Sequence, residues 1–258
     1  MIPHGSTVSV YTLFSSSAGN SIFVTDGKTK FLIDAGCSMK RISCHLSRYG
    51  ASLSDIKDIF ITHEHTDHIS ALERICKSCE INVRAVGLSA GKLGVDGVIR
   101  IGENESTALG GFTVTPFRLS HDTVYCAGYR VRHENGAVIA VMTDTGYVTE
   151  EAKNALAFAD AVILESNYDE KMLANGPYPP DVKRRISSDR GHLSNGQAAE
   201  ILPYLYGYGT RRVLLAHISK ENNTKEKAYE RSMRAAEEHG LTGLSIECAD
   251  RDAPTRLI

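Results

Sequence analysis

Short β-rich runs separated by polar turns occupy the first part of the chain, and alternating strand and helix patterns occupy the last. Residues 8–14, rich in β-branched and aromatic side chains, predict a strand, followed by a polar loop, Ser15-Ser16-Ser17-Ala18-Gly19-Asn20. Residues 22–25 and 31–33 flank Asp26-Gly27 and predict a hairpin. Met39, Ile42, Leu46 and Tyr49 recur at helical spacing between Ser38, a good N-cap, and Gly50, a good terminator. A strand over 59–62 runs into a polar cluster, after which a helix opening at Asp67 puts Ile69, Leu72, Ile75 and Cys76 on one face. Strands are predicted over 83–86, 98–101, 112–117, 125–131 and 137–143. Beyond Asp144 come helix 149–158, strand 161–165, a Pro/Gly-rich loop over 175–180, helix 194–206, strand 212–216 and helix 224–239.

Composition narrows the class. The 258 residues are 42% hydrophobic, enough for a large core, and no repeat or linker divides them, so one domain over 1–258 is expected. Strands and helices mixed in both halves suit an α/β fold of two face-to-face sheets with helices outside. A net charge of −2 gives no global basic field for nucleic acid or a membrane surface. The first twenty residues lack a basic start and a long apolar run, and no segment has membrane-span length, so a cytoplasmic protein is expected. Six cysteines in a chain this long read as reduced thiols, and Cys76 and Cys79 lack the two further ligands a structural zinc site needs.

The candidate chemistry begins directly after strand 59–62, where the chain reads His63-Glu64-His65-Thr66-Asp67-His68. Imidazoles and carboxylates are the donors borderline and hard divalent ions take, and a strand end can send them to one point. Further His and Asp residues follow later strands: His121-Asp122, Asp144 and His217. The candidate ligands are thus His63, His65, Asp67, His68, His121, Asp144 and His217. They suffice for two ions with open positions, the mark of a catalytic site rather than a structural one. All are N or O donors, which permits manganese, zinc or iron.

H-x-H-x-D-H after a strand, followed by His, Asp and His at later strand ends, resembles the metallo-β-lactamase superfamily over nearly the whole chain. The resemblance implies a four-layer αββα sandwich with a dinuclear site at one edge. It implies that His63, His65 and His121 hold one divalent ion, that Asp67, His68 and His217 hold the other, and that Asp144 bridges them. Asp34, in Leu32-Ile33-Asp34-Ala35-Gly36, would organise the metal loop without ligating. Ile163-Leu164-Glu165-Ser166-Asn167-Tyr168-Asp169 and Arg190-Gly191-His192-Leu193-Ser194-Asn195 are similar to the acidic and G-H-x-S segments of the nuclease branch. Ser15–Asn20 and Leu215-Ala216-His217-Ile218-Ser219-Lys220-Glu221-Asn222-Asn223 look like the compact YycJ/WalJ-type (VicX) exonucleases, with Ala18 and Tyr168 departing from the pattern.

A phosphate substrate also has support in the residues. Lys183, Arg184, Arg185 and Arg190 precede His192 in an otherwise slightly acidic chain, and Ser194 would cap a helix whose N–H groups could face an anion. Arg185, Arg190, Ser194 and Asn195 are therefore candidate substrate contacts. Two cations can lower the pKa of a shared water toward about 7. Asp67 would hold an ion and orient the nucleophile, and His192 would protonate the leaving 3′-oxygen. Glu165 would orient an imidazole or pair with a nearby arginine, and Glu64 would point away. The expectation is a metal-dependent phosphodiesterase acting on nucleic acid, by resemblance a 5′ to 3′ exonuclease on duplex DNA using two Mn or Zn ions. A small-molecule phosphodiesterase or thiolester hydrolase of the same fold is one alternative, and a metal-loaded accessory protein of a two-component system is another.

Overall fold

The computed structural model describes residues 7–258. Fourteen strands among these residues form two seven-stranded sheets. The first sheet comprises β1 (Ser9–Ser16), β2 (Gly19–Thr25), β3 (Lys30–Ile33), β4 (Asp58–Ile61), β5 (Asn82–Val86) and β6 (Ile99–Ile101), with β14 (Thr255–Arg256) against β1. The second runs β13 (Ser245–Cys248), β12 (Arg212–Ala216), β11 (Ala161–Glu165), β10 (Val138–Met142), β9 (Cys126–His133), β8 (Phe112–Leu119) and β7 (Thr107–Leu109). Each sheet is antiparallel on one side and parallel on the other: β3 to β6 are parallel neighbours in the first, as are β10 to β13 in the second.

Alternate side chains of the parallel strands serve two different cores. Phe31, Ile33 and Phe60 meet Ile139, Val141, Ile163 and Leu214 between the sheets. Leu32, Ile59 and Ile61 turn outward to α1 (Met39–Ser47) and α3 (Leu72–Ser78). Ala140, Val162, Leu164 and Leu215 turn outward to α4 (Glu150–Leu156), α7 (Asn195–Glu200), α8 (Leu202–Gly207) and α9 (Lys225–Glu238). Burial on both faces explains why these strands read as continuous apolar runs. The result is the expected αββα sandwich. No helix among the described residues is long and apolar enough to cross a membrane.

Strands 161–165 and 212–216 and helix α1, capped by Ser38, lie where expected. Elsewhere local chemistry redraws the elements. The Ser15–Asn20 stretch is the tip of the β1–β2 hairpin rather than a loop. The helix expected from Asp67 divides into α2 (Thr66–Ile69) and α3, and the helix expected over 194–206 divides at Ile201, where Pro203 starts α8 without an N–H. The Pro/Gly-rich loop is bracketed by two short helices, α5 (Glu170–Asn175) and α6 (Pro180–Ile186). The basic residues Lys183, Arg184 and Arg185 therefore sit on a helix with no buried residue, not on a loop. β7, β13 and β14 were not expected; they are two to four residues long.

Candidate metal centre

The seven candidate ligands converge at one edge of the sandwich, beyond the C-terminal ends of β4, β10 and β12 and at the ends of α2 and β8. Strand direction alone does not aim them. Asp34, Asp144 and His217 adopt left-handed backbone conformations at φ 64°, 64° and 54°, just after β3, β10 and β12. Such φ values are uncommon for non-glycine residues and gather at functional sites. Gly36 sits where a Cβ would lie 1.6 Å from the Asp67 carbonyl oxygen, so only glycine lets the 34–36 turn pack under the metal loop.

Each deeply buried imidazole is anchored through Nδ1, which frees Nε2. His63 Nδ1 lies 3.0 Å from the Thr62 hydroxyl, His68 Nδ1 2.7 Å from Asp34 Oδ2, His121 Nδ1 3.0 Å from the Gly191 carbonyl and His217 Nδ1 2.8 Å from Glu165 Oε1. Asp34 also accepts from the Thr62 amide and hydroxyl, each at 2.8 Å, so its carboxylate is spent on holding the loop. This is the usual way a protein fixes ligand tautomers from outside. Ligand atoms within 4.8 Å of one another fall into His63–His65–His121, Asp67–His68–His217 and His63–His68–Asp144, with Asp144 between two three-residue sets, and into a fourth group, Asp144–Glu165–His192–His217.

The buried atoms fit cations. His63 Nε2, His217 Nε2 and Asp144 Oδ2 are shielded from solvent and have no hydrogen-bond partner. Orphaned buried polar atoms are costly, and cations seated among the two ligand sets would satisfy all three. The electrostatics agree. Burial opposes charge on His217, but Asp144, Asp67 and Glu165 outweigh it and push the imidazole up to about 10. Burial likewise raises the Asp67 carboxyl, yet His217 and His68 bring it far below the ordinary range. The carboxylates thus create a field that demands positive charge, and a divalent ion supplies it while displacing the protons. On the other side, His63 is held neutral by burial and then by its imidazole neighbours.

Glu165 is fully buried and accepts four hydrogen bonds: from His192 and His217 Nδ1 on Oε1, both 2.8 Å, and from the Thr145 and Leu193 amides on Oε2, at 3.0 and 3.1 Å. The partner is thus a pair of imidazoles, and the alternative of a nearby arginine is excluded. His192 lines the cavity over the ligands. Glu64 points away from the ligands, accepting from the Val124 amide at 3.1 Å.

Two candidate substrate contacts are corrected. Ser194 is 4% exposed, and its hydroxyl caps the Gln197 amide at 3.2 Å. Asn195 is 1% exposed, with its amide committed to Ser166, at 2.6 Å, and Asn223, at 2.8 and 2.9 Å. Neither lines the cavity, and the Gly196 amide is taken by Glu170, so the start of α7 offers no anion site. Arg185 does line the cavity; Arg190 lies just outside, donating to the carbonyls of His121 and Thr123 at 3.3 and 3.4 Å. Sequence reasoning missed Asn20, whose Nδ2 lies 3.2 Å from Asp67 Oδ2 and 3.1 Å from His68 Nε2, and Asn167, which donates to the His217 carbonyl at 2.8 Å. Both stand inside the quoted family segments, but an asparagine carries no metal-ligand signature by itself. Cys76 and Cys79 belong to no ligand cluster among the described residues.

A two-sheet sandwich carrying seven convergent His and Asp side chains at its edge defines a class of proteins, and the chain belongs to it: residues 29–218 match the beta-lactamase superfamily domain. It is a metal-dependent hydrolase of that superfamily. Among its relatives, the exodeoxyribonuclease YycJ of Bacillus anthracis is 33% identical over 255 residues, covering 95% of this chain and 96% of that one. The exodeoxyribonuclease WalJ of Streptococcus pneumoniae is 33% identical over 226 residues, 84% of each chain. The fold is shared with yeast PDE1, at a TM-score of 0.75 and 15% identity over 97% of this chain and 99% of that one. It is shared too with the metallo-beta-lactamase fold protein YhfI of Bacillus subtilis, at a TM-score of 0.70 and 16% identity over 96% and 99%.

Proposed function

We propose that the chain is a nuclease that hydrolyses phosphodiesters of DNA from a 5′ end of a duplex, in the cytoplasm, with two Mn or Zn ions. His63, His65 and His121 would hold one ion, Asp67, His68 and His217 the other, and Asp144 would serve both. When bound, the ions supply an activated water and neutralise charge on the phosphoryl oxygens. The chain's own residues do the rest. His192, braced at Nδ1 by Glu165, presents Nε2 to the cavity and protonates the leaving 3′-oxygen. The Glu165 carboxylate also keeps His217 in its ligating tautomer. Arg185 and the neighbouring cations of α6 attract the phosphate backbone.

The observation that carries this reading is the His192–Glu165 pair, a proton donor beside a two-ion ligand set and under a cationic helix. The exodeoxyribonuclease relatives span 95% and 84% of the chain and support DNA as the substrate. The test is a Mn²⁺ and Zn²⁺ panel with end-labelled single- and double-stranded DNA, RNA and bis(p-nitrophenyl) phosphate. Early release of a 5′ label and progressive shortening of 3′-labelled duplex DNA are expected. Turnover of the small ester with every nucleic acid left intact would favour a small-molecule phosphodiesterase, whose substrate suits the cavity's modest volume of about 210 Å³.

A further inference from the structure

Asp122 stands beside the ligand His121 but belongs to neither three-residue set. Its Oδ1 is shielded from solvent and has no hydrogen-bond partner. That oxygen lies 3.4 Å from His121 Nε2 and 3.7 Å from His65 Nε2. His121 Nδ1 faces the Gly191 carbonyl at 3.0 Å, and a carbonyl only accepts, so the ring hydrogen is on Nδ1. Nε2 therefore presents a lone pair to another lone pair on Asp122. A charge-assisted N–H···O bond would also close to about 2.7–2.9 Å. Two donors bound to one ion at about 2.0–2.2 Å each lie about 2.8–3.6 Å apart at octahedral or tetrahedral angles. The 3.4 Å separation from His121 is of that kind. Its other oxygen is held at 2.5 Å by Arg185 Nε, from α6, which fixes the carboxylate in this orientation.

We infer that Asp122 is a further metal ligand, joining His63, His65 and His121 around one ion, with Arg185 as the residue that positions it. The inference rests on the two-ion reading above. It also gives that reading a metal preference. Three imidazoles alone form a site well suited to zinc, whereas adding Asp122 to the shared Asp144 hardens the donor set toward manganese. α6 thereby becomes part of the metal centre as well as a cationic surface.

The test uses the full-length protein stripped of metal. Mn²⁺ binding is followed by the electron paramagnetic resonance of the free ion, Zn²⁺ binding by competition with a chromogenic chelator, and ligand geometry by the visible spectrum of bound Co²⁺. In Asp122→Asn one of the two Mn²⁺ sites should weaken at least tenfold, the range in which even supporting residues act. Zn²⁺ should weaken less, and the Co²⁺ spectrum should change. Arg185→Gln should weaken the same Mn²⁺ site by a smaller factor while the Co²⁺ spectrum keeps its form. Asp122→Ser, which also lacks the charged oxygen, repeats the measurement if the asparagine variant fails to fold. Wild-type binding of two ions with Asp122→Asn matching it within twofold overturns the inference and leaves the two-ion reading standing. Wild-type protein that binds no ion overturns both.

Discussion

Glu165→Gln replaces one oxygen with NH₂ and should disable a site that the residue is not assigned to ligate. The carboxylate is full: His192 and His217 donate to Oε1 at 2.8 Å, and the Thr145 and Leu193 amides donate to Oε2 at 3.0 and 3.1 Å. A glutamine must turn its NH₂ toward one of these pairs. Toward the amides it sets donor against donor inside a fully buried pocket, at about 1–3 kcal/mol for each group left unsatisfied. Toward the imidazoles it forces both rings to accept at Nδ1, which moves the His217 hydrogen to Nε2, the atom the second ion needs. Either way metal affinity should fall about 10–100-fold, the usual range for groups that orient a ligand histidine, or about 1.4–2.7 kcal/mol. The assay is Mn²⁺ and Zn²⁺ titration of stripped protein, followed by turnover at saturating metal. Turnover should stay depressed even when both ions are restored, because His192 has lost its brace as well. A variant that binds both ions normally and turns over at the wild-type rate would refute the reasoning, since Glu165 could then be no more than buried packing.

Four further outcomes follow from single contacts. Tyr129→Phe removes a 2.6 Å hydrogen bond from β9 to the Ile61 carbonyl at the end of β4, and urea unfolding should show a loss of about 1–2 kcal/mol. Gly36→Ala should abolish metal binding by displacing the Asp67 backbone, detectable as loss of metal uptake while far-ultraviolet circular dichroism stays native-like. Arg184→Ala should weaken DNA binding evenly across sequences and reduce the log–log salt slope by about one unit; an unchanged slope would remove α6 from the DNA path. Asp250 is held down to about 2 by the Lys225 ammonium. Its folded value lies below its unfolded one, so its contribution is present above about pH 4 and is lost as pH falls toward 2. The pair is solvent-screened, and Asp250→Asn should cost below about 1 kcal/mol at pH 6, with the difference from wild type shrinking in urea melts at pH 3.

The cluster of candidate ligands was legible in the sequence because His and Asp are chemically distinctive at the ends of apolar strands. The sandwich was legible for a similar reason: period-two burial on both faces leaves long apolar runs such as 161–165. What was hidden depends on contacts between distant residues. Ser194 and Asn195 looked like phosphate contacts because capping residues and anion-binding residues are the same types; only the tertiary network of Ser166, Asn223 and Glu170 shows their groups already engaged. Asn20 lies 47 residues before Asp67 along the chain, and nothing local marks it as a partner. α6 was obscured by the prolines before it, although Pro180 at the first helical turn is where proline is tolerated.

The ligands come from both layers of the sandwich. His63, His65, Asp67 and His68 follow a strand of the first sheet, and His121, Asp144 and His217 follow strands of the second. At this edge the sheets are also joined by hydrogen bonds, among them the Ala127 amide donating to the Thr62 carbonyl at 3.0 Å and the Tyr129 hydroxyl donating to the Ile61 carbonyl at 2.6 Å. An ion seated there is therefore a rivet through two plates as well as a reagent. Loaded protein should exchange its amide hydrogens more slowly at the ends of β4, β10 and β12 together, while the opposite edge is unaffected. Scarcity of metal would then do more than stop hydrolysis: it would let the sandwich part along the seam from which the ligands come.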